Sequence, residues 1–138
     1  AVVEIDKEGS YKYVLLRIED AQGGSALLVR GCPHKEGTHC KHRDAADRAK
    51  KALDARGFRV TVLGGGRITR HPSKKIAVKA GYISIFGVSK TFGTCSDCNK
   101  LACALVKAAY PDHGVKWSTE GYYESDEKKI SDTAWTRC

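Results

Sequence analysis

The sequence predicts a single α/β domain: a mixed β-sheet of about six strands with two main helices packed on it. Three observations lead there. Short segments rich in β-branched and aromatic residues recur along the chain, bounded by glycine-containing turns. Two longer segments space their apolar residues three or four apart, as amphipathic helices do. The 138 residues, 41% of them hydrophobic, suit one domain with one core.

Residues 11–18 (YKYVLLRI) read as a strand, and 25–30 (SALLVR) as a second. The turn residues Ala21, Gln22, Gly23 and Gly24 between them suggest a hairpin. A polar loop rich in Cys, His, Gly and Pro spans 31–41 and ends at His42. Asp44 is a candidate N-cap, with Asp47 three residues on, for a helix over about 45–56. Its apolar side is Ala45, Ala49, Ala52 and Leu53, and Gly57 is placed to stop it. Residues 58–63 alternate as a strand, Gly64, Gly65 and Gly66 interrupt it, and 67–69 resume it. Residues 75–78 and 82–86 suggest two more short strands. A second helix is expected over about 97–110, with Leu101, Ala102, Leu105, Val106 and Ala109 inward and Pro111 beyond its end. Residues 115–118 close the sheet. The domain is taken as 1–122, with 123–138 a polar tail whose order is weak or conditional.

Lys and Arg total 24 against 16 Asp and Glu, a net charge of +8. That balance favours anionic partners without choosing among them, and ordinary solubility explains it equally well. No apolar run approaches the roughly 18–20 residues of a membrane span, and no basic-then-apolar leader is visible. The expectation is therefore a cytoplasmic protein without membrane contact, its six cysteines reduced.

Candidate chemistry begins at His42, just before a predicted helix N-terminus. Unpartnered backbone N–H groups there attract anions, and a histidine beside them can move protons near neutral pH. Taken alone, such a histidine is more often an exposed loop residue. Gly64-Gly65-Gly66-Arg67 combines close backbone approach with a planar fork for phosphate oxygens, although a glycine bulge between strands explains it too. It is neither a Walker loop nor a dinucleotide fingerprint. Strand alternation puts Lys12 on the opposite face from Tyr11 and Tyr13, usually the solvated side. Cys95 and Cys98 have metal-ligand spacing, and Cys32, His34, His39 and Cys40 offer further ligands for a zinc alternative. Thioredoxin-like chemistry is disfavoured because that Cys pair does not follow a βαβ opening. The basic clusters at 35–51 and 67–79 keep a non-enzymatic nucleic-acid- or phosphoprotein-binding module as the alternative, without an RRM, KH, helix-turn-helix or finger signature.

Together these segments resemble the protein histidine phosphatases, the janus/ocnus family. The similarity runs through residues 11–17 (YKYVLLR), Leu28-Val29-Arg30-Gly31 and Leu63-Gly64-Gly65-Gly66-Arg67-Ile68. It continues through Lys74-Lys75-Ile76, Gly81-Tyr82, Ala109-Tyr110-Pro111-Asp112, Val115-Lys116-Trp117 and Glu120-Gly121-Tyr122, covering roughly residues 4–122.

The resemblance implies hydrolysis of the P–N bond of phosphohistidine on histidine-phosphorylated proteins, with no metal and no cofactor. It places the catalytic histidine at His42, with His39 and His34 as fallbacks because the 32–41 loop is longer than the family's usual form. The family's active-site lysine carries over to Lys12 and its glycine-motif arginine to Arg67. Backbone N–H groups from His42 through Arg43 to Asp44, and from the strand at Ser84 and Ile85, would cradle the remaining oxygens. The family's serine falls at Ile83 here, with Ser84 one place on. General base is favoured over nucleophile for His42. A monomer with no specific nucleic-acid partner is expected.

Overall fold

The hairpin forms because Asp20 organises its turn. In the computed structural model, which describes residues 1–72, 81–92, 95 and 97–138, the Asp20 carboxylate accepts the N–H groups of Gln22 and Gly24 at 2.9 and 2.8 Å. β1 (Val3–Glu4), β2 (Gly9–Glu19) and β3 (Ser25–Gly31) precede helix α1 (His42–Asp54). β4 (Arg59–His71), β5 (Tyr82–Phe86), α2 (Cys98–Ala109), β6 (Gly114–Trp117) and β7 (Thr136–Arg137) follow among the described residues. One mixed seven-stranded sheet results, in the order β1-β3-β2-β4-β5-β6-β7. The pairs β1–β3 and β5–β6 are parallel, the rest antiparallel. Tyr13, Val14, Leu15 and Leu16 on the interior strand β2 are all fully buried. Successive residues buried in both directions mark a sheet covered on both faces.

The glycine triplet does not break the strand as expected; β4 runs straight through it. Its irregularity is a bulge at Leu63, since Leu15 pairs with Gly64 but Leu16 with Val62. The surroundings of the glycines also separate the two sides of the sheet. A Cβ on Gly64 would meet Cys98 of α2, one on Gly66 would meet Asn99 of α2, and one on Gly65 would approach His42 of α1. Thus α1 lies on one face and α2 on the other.

α1 begins earlier than the sequence suggests. The Asp44 carboxylate accepts the Lys41 N–H at 2.8 Å, so Asp44 is the third residue of the helix, not its cap. His42 is therefore inside the first turn. Gly57 takes a φ of 85° just past the helix, as its position predicts. The inward stripe of α2 is Cys98, Asn99, Ala102, Cys103 and Val106, rotated from the expected one. Hydrogen bonding by Asn99 and sulfur linkage by the cysteines turn these residues inward in place of Leu101 and Ala109.

The six cysteines are paired: Cys32 with Cys40, Cys95 with Cys98, and Cys103 with Cys138. The expectation of reduced thiols is overturned, and the thiolates required by the zinc alternative are consumed. Among the described residues no group of His, Cys, Asp and Glu is arranged to hold a metal, and no helix is long and apolar enough to cross a membrane.

Residues 123–138 also depart from expectation. They form 3₁₀ segments at Glu124–Lys129 and Asp132–Ala134, then β7, which pairs with β6. Ile130 is buried, Trp135 meets Phe86 edge-on at 6.1 Å, and the Cys103–Cys138 bond ties the segment to α2. Isolated anchors of this kind leave no periodic trace in a polar sequence. The strand expected over 75–78 lies outside the described residues.

Candidate functional site

Three cationic or basic side chains meet on the α1 face of the sheet. Lys12 of β2 and Arg67 of β4 are direct cross-strand partners. Strand alternation puts both on the side to which Gly65 presents its space for His42. Together with Thr38, Gly66, Val88, Tyr122 and Tyr123, these three line one cavity of about 180 Å³. Two like charges directly opposite each other across a ladder repel. Burial pushes the Lys12 ammonium below its usual range, and Arg67 and Lys41 push it further, against Asp44. Burial also lowers Arg67, whose charge is supported by the Glu124 and Asp126 carboxylates. Among the described residues, the buried Nε of Arg67 has no hydrogen-bond partner. An anion in the cavity would relieve the repulsion and satisfy these donors.

His42 is held rather than free to rotate. Its side chain is buried, and Nε2 lies 2.9 Å from the Gly66 carbonyl oxygen. A carbonyl only accepts, so Nε2 carries the proton and Nδ1 keeps its lone pair in the neutral ring. Burial lowers the His42 pKa below 6.5; the Gly66 bond opposes that shift, and the Lys12 and Arg67 charges reinforce it. The ring is thus a neutral base at physiological pH. Its own N–H, with those of Arg43 and Asp44, belongs to the unpartnered first turn, since the Ala45 N–H makes the helix's first bond, to the Lys41 carbonyl.

Glycine is required beneath this arrangement. A Cβ on Gly65 would stand 2.2 Å from the Tyr13 carbonyl oxygen, and one on Gly66 would stand 2.7 Å from that of Phe86. Below Gly66, Asn99 accepts from the Tyr13 hydroxyl and donates to the carbonyls of Gly87 and Ser118, each at 2.8 Å. This buried network, on the α2 face, joins β2 and α2 to the segments that follow β5 and β6. Burial raises the Tyr13 phenol, so it stays a neutral donor.

The structure therefore brings His42, Lys12 and Arg67 together. Arg43 is exposed, and the Asp44 side chain is committed to the Lys41 N–H. Ser84 and Ile85 are not part of the cavity. Ser84 pairs with Thr69, on the same face as Arg67, but is fully buried there. The segment carrying Gly121, Ile130 and Trp135 covers that side of β5 through Phe86. The Gly87 N–H is also taken, by the Glu120 carbonyl at 3.0 Å. His34 and His39 are exposed and stand outside the cavity. Sequence reasoning missed Thr38, Tyr122 and Tyr123. Thr38 enters through the loop closed by Cys32–Cys40, and the tyrosines through the anchored C-terminal segment, where the Asp126 carboxylate accepts both of their N–H groups. Tyr122 was legible as the end of the family motif; Thr38 and Tyr123 carried no signal.

Comparison with known proteins adds a family and relatives. The sequence model of the Janus/Ocnus family matches residues 1–114. The sex-regulated protein janus-A of Drosophila yakuba is 34% identical over 122 residues, covering 88% of this chain and 81% of that protein. The 14 kDa phosphohistidine phosphatase of Sus scrofa is 31% identical over 126 residues, 87% of this chain and 90% of that protein. The Homo sapiens protein of the same name is 31% identical over 126 residues, covering 87% and 91%.

Proposed function

Because the chain belongs to the Janus/Ocnus family, we propose that it is a phosphohistidine phosphatase, acting without a metal on histidine-phosphorylated proteins. The observation that carries this reading is the pair of facing cations, Lys12 and Arg67, beside a histidine whose Nε2 proton is bound to the Gly66 carbonyl, so that Nδ1 is the acceptor nitrogen of its neutral ring. The names of the pig and human relatives support it.

Phosphohistidine needs modest help. Its P–N bond is labile once the far ring nitrogen is protonated, so catalysis rests on positioning and charge neutralisation. Lys12 and Arg67 hold the phosphoryl oxygens, assisted by Thr38 and the N–H groups of the first turn of α1. His42 Nδ1 takes a proton from water as the water oxygen bonds to phosphorus. The P–N bond breaks opposite, its electron pair leaving with the imidazole nitrogen, and free histidine and inorganic phosphate result. A monomer suffices, since the cavity is built within one chain, and no specific nucleic-acid partner is required. Three disulfides argue against the cytoplasm first expected; such bonds persist in oxidising compartments, and the reading now favours one.

The test is hydrolysis of a phosphohistidine peptide in EDTA, wild type beside His42→Ala. Turnover that persists in chelator and falls about two orders of magnitude or more in the variant is expected. Binding of the phosphopeptide without turnover would instead favour the binding-module alternative.

A further inference from the structure

The cavity's outer wall is aromatic. Tyr122 and Tyr123 pack edge to face with ring centroids 4.7 Å apart, and the Lys90 ammonium stands 4.4 Å from the centre of the Tyr122 ring. Tyr122 is thus engaged on both counts. Tyr123 lines the cavity yet is 62% exposed. A large aromatic surface left open at the mouth of a charged cavity is the surface a ligand covers. Its backbone is held in place, the N–H bonded to Asp126 at 2.7 Å. A groove of about 620 Å³ adjoins the cavity and shares Thr38, Arg67 and Tyr123 with it. Glu124 and Glu127 lie along that groove, Glu127 engaged by His71 at 2.9 Å.

We propose that Tyr123 is the shelf on which the imidazole ring of phosphohistidine rests, making it a specificity-determining residue for aromatic over aliphatic or unsubstituted phosphoramidates. The proposal builds on the phosphatase reading. With the phosphoryl group against Lys12 and Arg67, the leaving ring must lie toward the open mouth, which Tyr123 forms. The reactive ring is protonated, and a cationic aromatic gains from a tyrosine face both by stacking and by cation–π attraction. The nearby Glu124 carboxylate favours the same charge. Tyr123 lies beyond residues 1–114, which the family model matches. The groove then receives the polypeptide flanking the phosphohistidine.

The experiment compares kcat/KM on a phosphohistidine peptide and on phosphoramidate, which has no ring, for wild type, Tyr123→Ala and Tyr123→Phe. Tyr123→Ala should lower the phosphohistidine value about 5- to 30-fold, at least about fivefold more than the phosphoramidate value. Tyr123→Phe, which keeps the ring, should restore phosphohistidine turnover to within about twofold of wild type. If wild type cleaves both substrates and Tyr123→Ala loses on both alike or on neither, the shelf is overturned and the phosphatase reading stands. If wild type cleaves neither, the phosphatase reading falls and the shelf with it.

Discussion

His42 Nε2 is bound to the carbonyl oxygen of Gly66 at 2.9 Å. That contact sets the tautomer, because the carbonyl fixes the proton on Nε2 and leaves Nδ1 as the nitrogen that, in the proposed mechanism, serves as the base. It also ties the tautomer to the glycine strand.

The first prediction is a pH dependence. Burial, Lys12 and Arg67 hold the His42 pKa below 6.5 in the folded protein. The acid limb of kcat/KM should therefore fall below pH 6.5, and His42→Ala should abolish it. Stability follows with the same sign. The unfolded state takes up the proton first, so the contribution is complete above pH 6.5 and is lost as pH falls toward the folded-state pKa. Chemical denaturation across this range should show the loss in wild type and a smaller one in His42→Ala; identical slopes would refute the assignment.

The second concerns Gly65. An alanine Cβ there would lie 2.2 Å from the Tyr13 carbonyl and 3.1 Å from His42 Cδ2. Backbone cannot yield as a side-chain tip can. Gly65→Ala should destabilise by about 2–3 kcal/mol in a urea titration and also depress turnover in the fraction that remains folded. A variant with wild-type stability would show that β4 and β2 are spaced more widely than the structure indicates.

The third separates charge from shape. Lys12→Ala removes a cation felt by bound substrate and transition state alike, so KM should rise and kcat fall. The combined loss should be about one to two orders of magnitude in kcat/KM, largest at low ionic strength because the site opens to solvent. Steady-state kinetics at two salt concentrations provide the check; a loss independent of salt would argue for a packing role.

The fourth tests the buried hydroxyl. Ser84 Oγ has no hydrogen-bond partner among the described residues, and the side chain is fully buried. Ser84→Ala should leave kcat/KM within about twofold and stability unchanged or raised by about 1 kcal/mol, since an unpaired buried hydroxyl is unfavourable. A large loss of activity would return Ser84 to the site.

The sequence was most readable where residues act through period or through local turn chemistry. The alternation in residues 11–18 placed Lys12 on the face opposite Tyr11 and Tyr13, and the structure puts it beside Arg67 there. Gly57 likewise ends α1 as its type demands. Contacts distant in sequence were not readable. The start of α1 turned on one carboxylate reaching back to Lys41. The covering of Phe86, two residues along β5 from the buried Ser84, comes from Gly121, Ile130 and Trp135 in a segment tied to α2 by the Cys103–Cys138 bond. No spacing rule connects residues 99, 103, 118 and 138, so neither the ordering of residues 123–138 nor the place of Tyr123 could be anticipated from the segments that contain them.

The Cys103–Cys138 bond makes residues 103–138 a covalent ring whose ends stand 35 apart in sequence. Within that ring lie the rest of α2 after Cys103, all of β6, and Tyr122 and Tyr123. Tension applied at Cys138 is therefore passed directly to the helix at Cys103, bypassing the aromatic wall altogether. The wall can shift only as far as the slack inside its own ring allows, and it cannot be peeled from the sheet end-first. In mechanical terms the mouth of the cavity is a closed hoop anchored in the helix, where an untethered extension would be a loose flap.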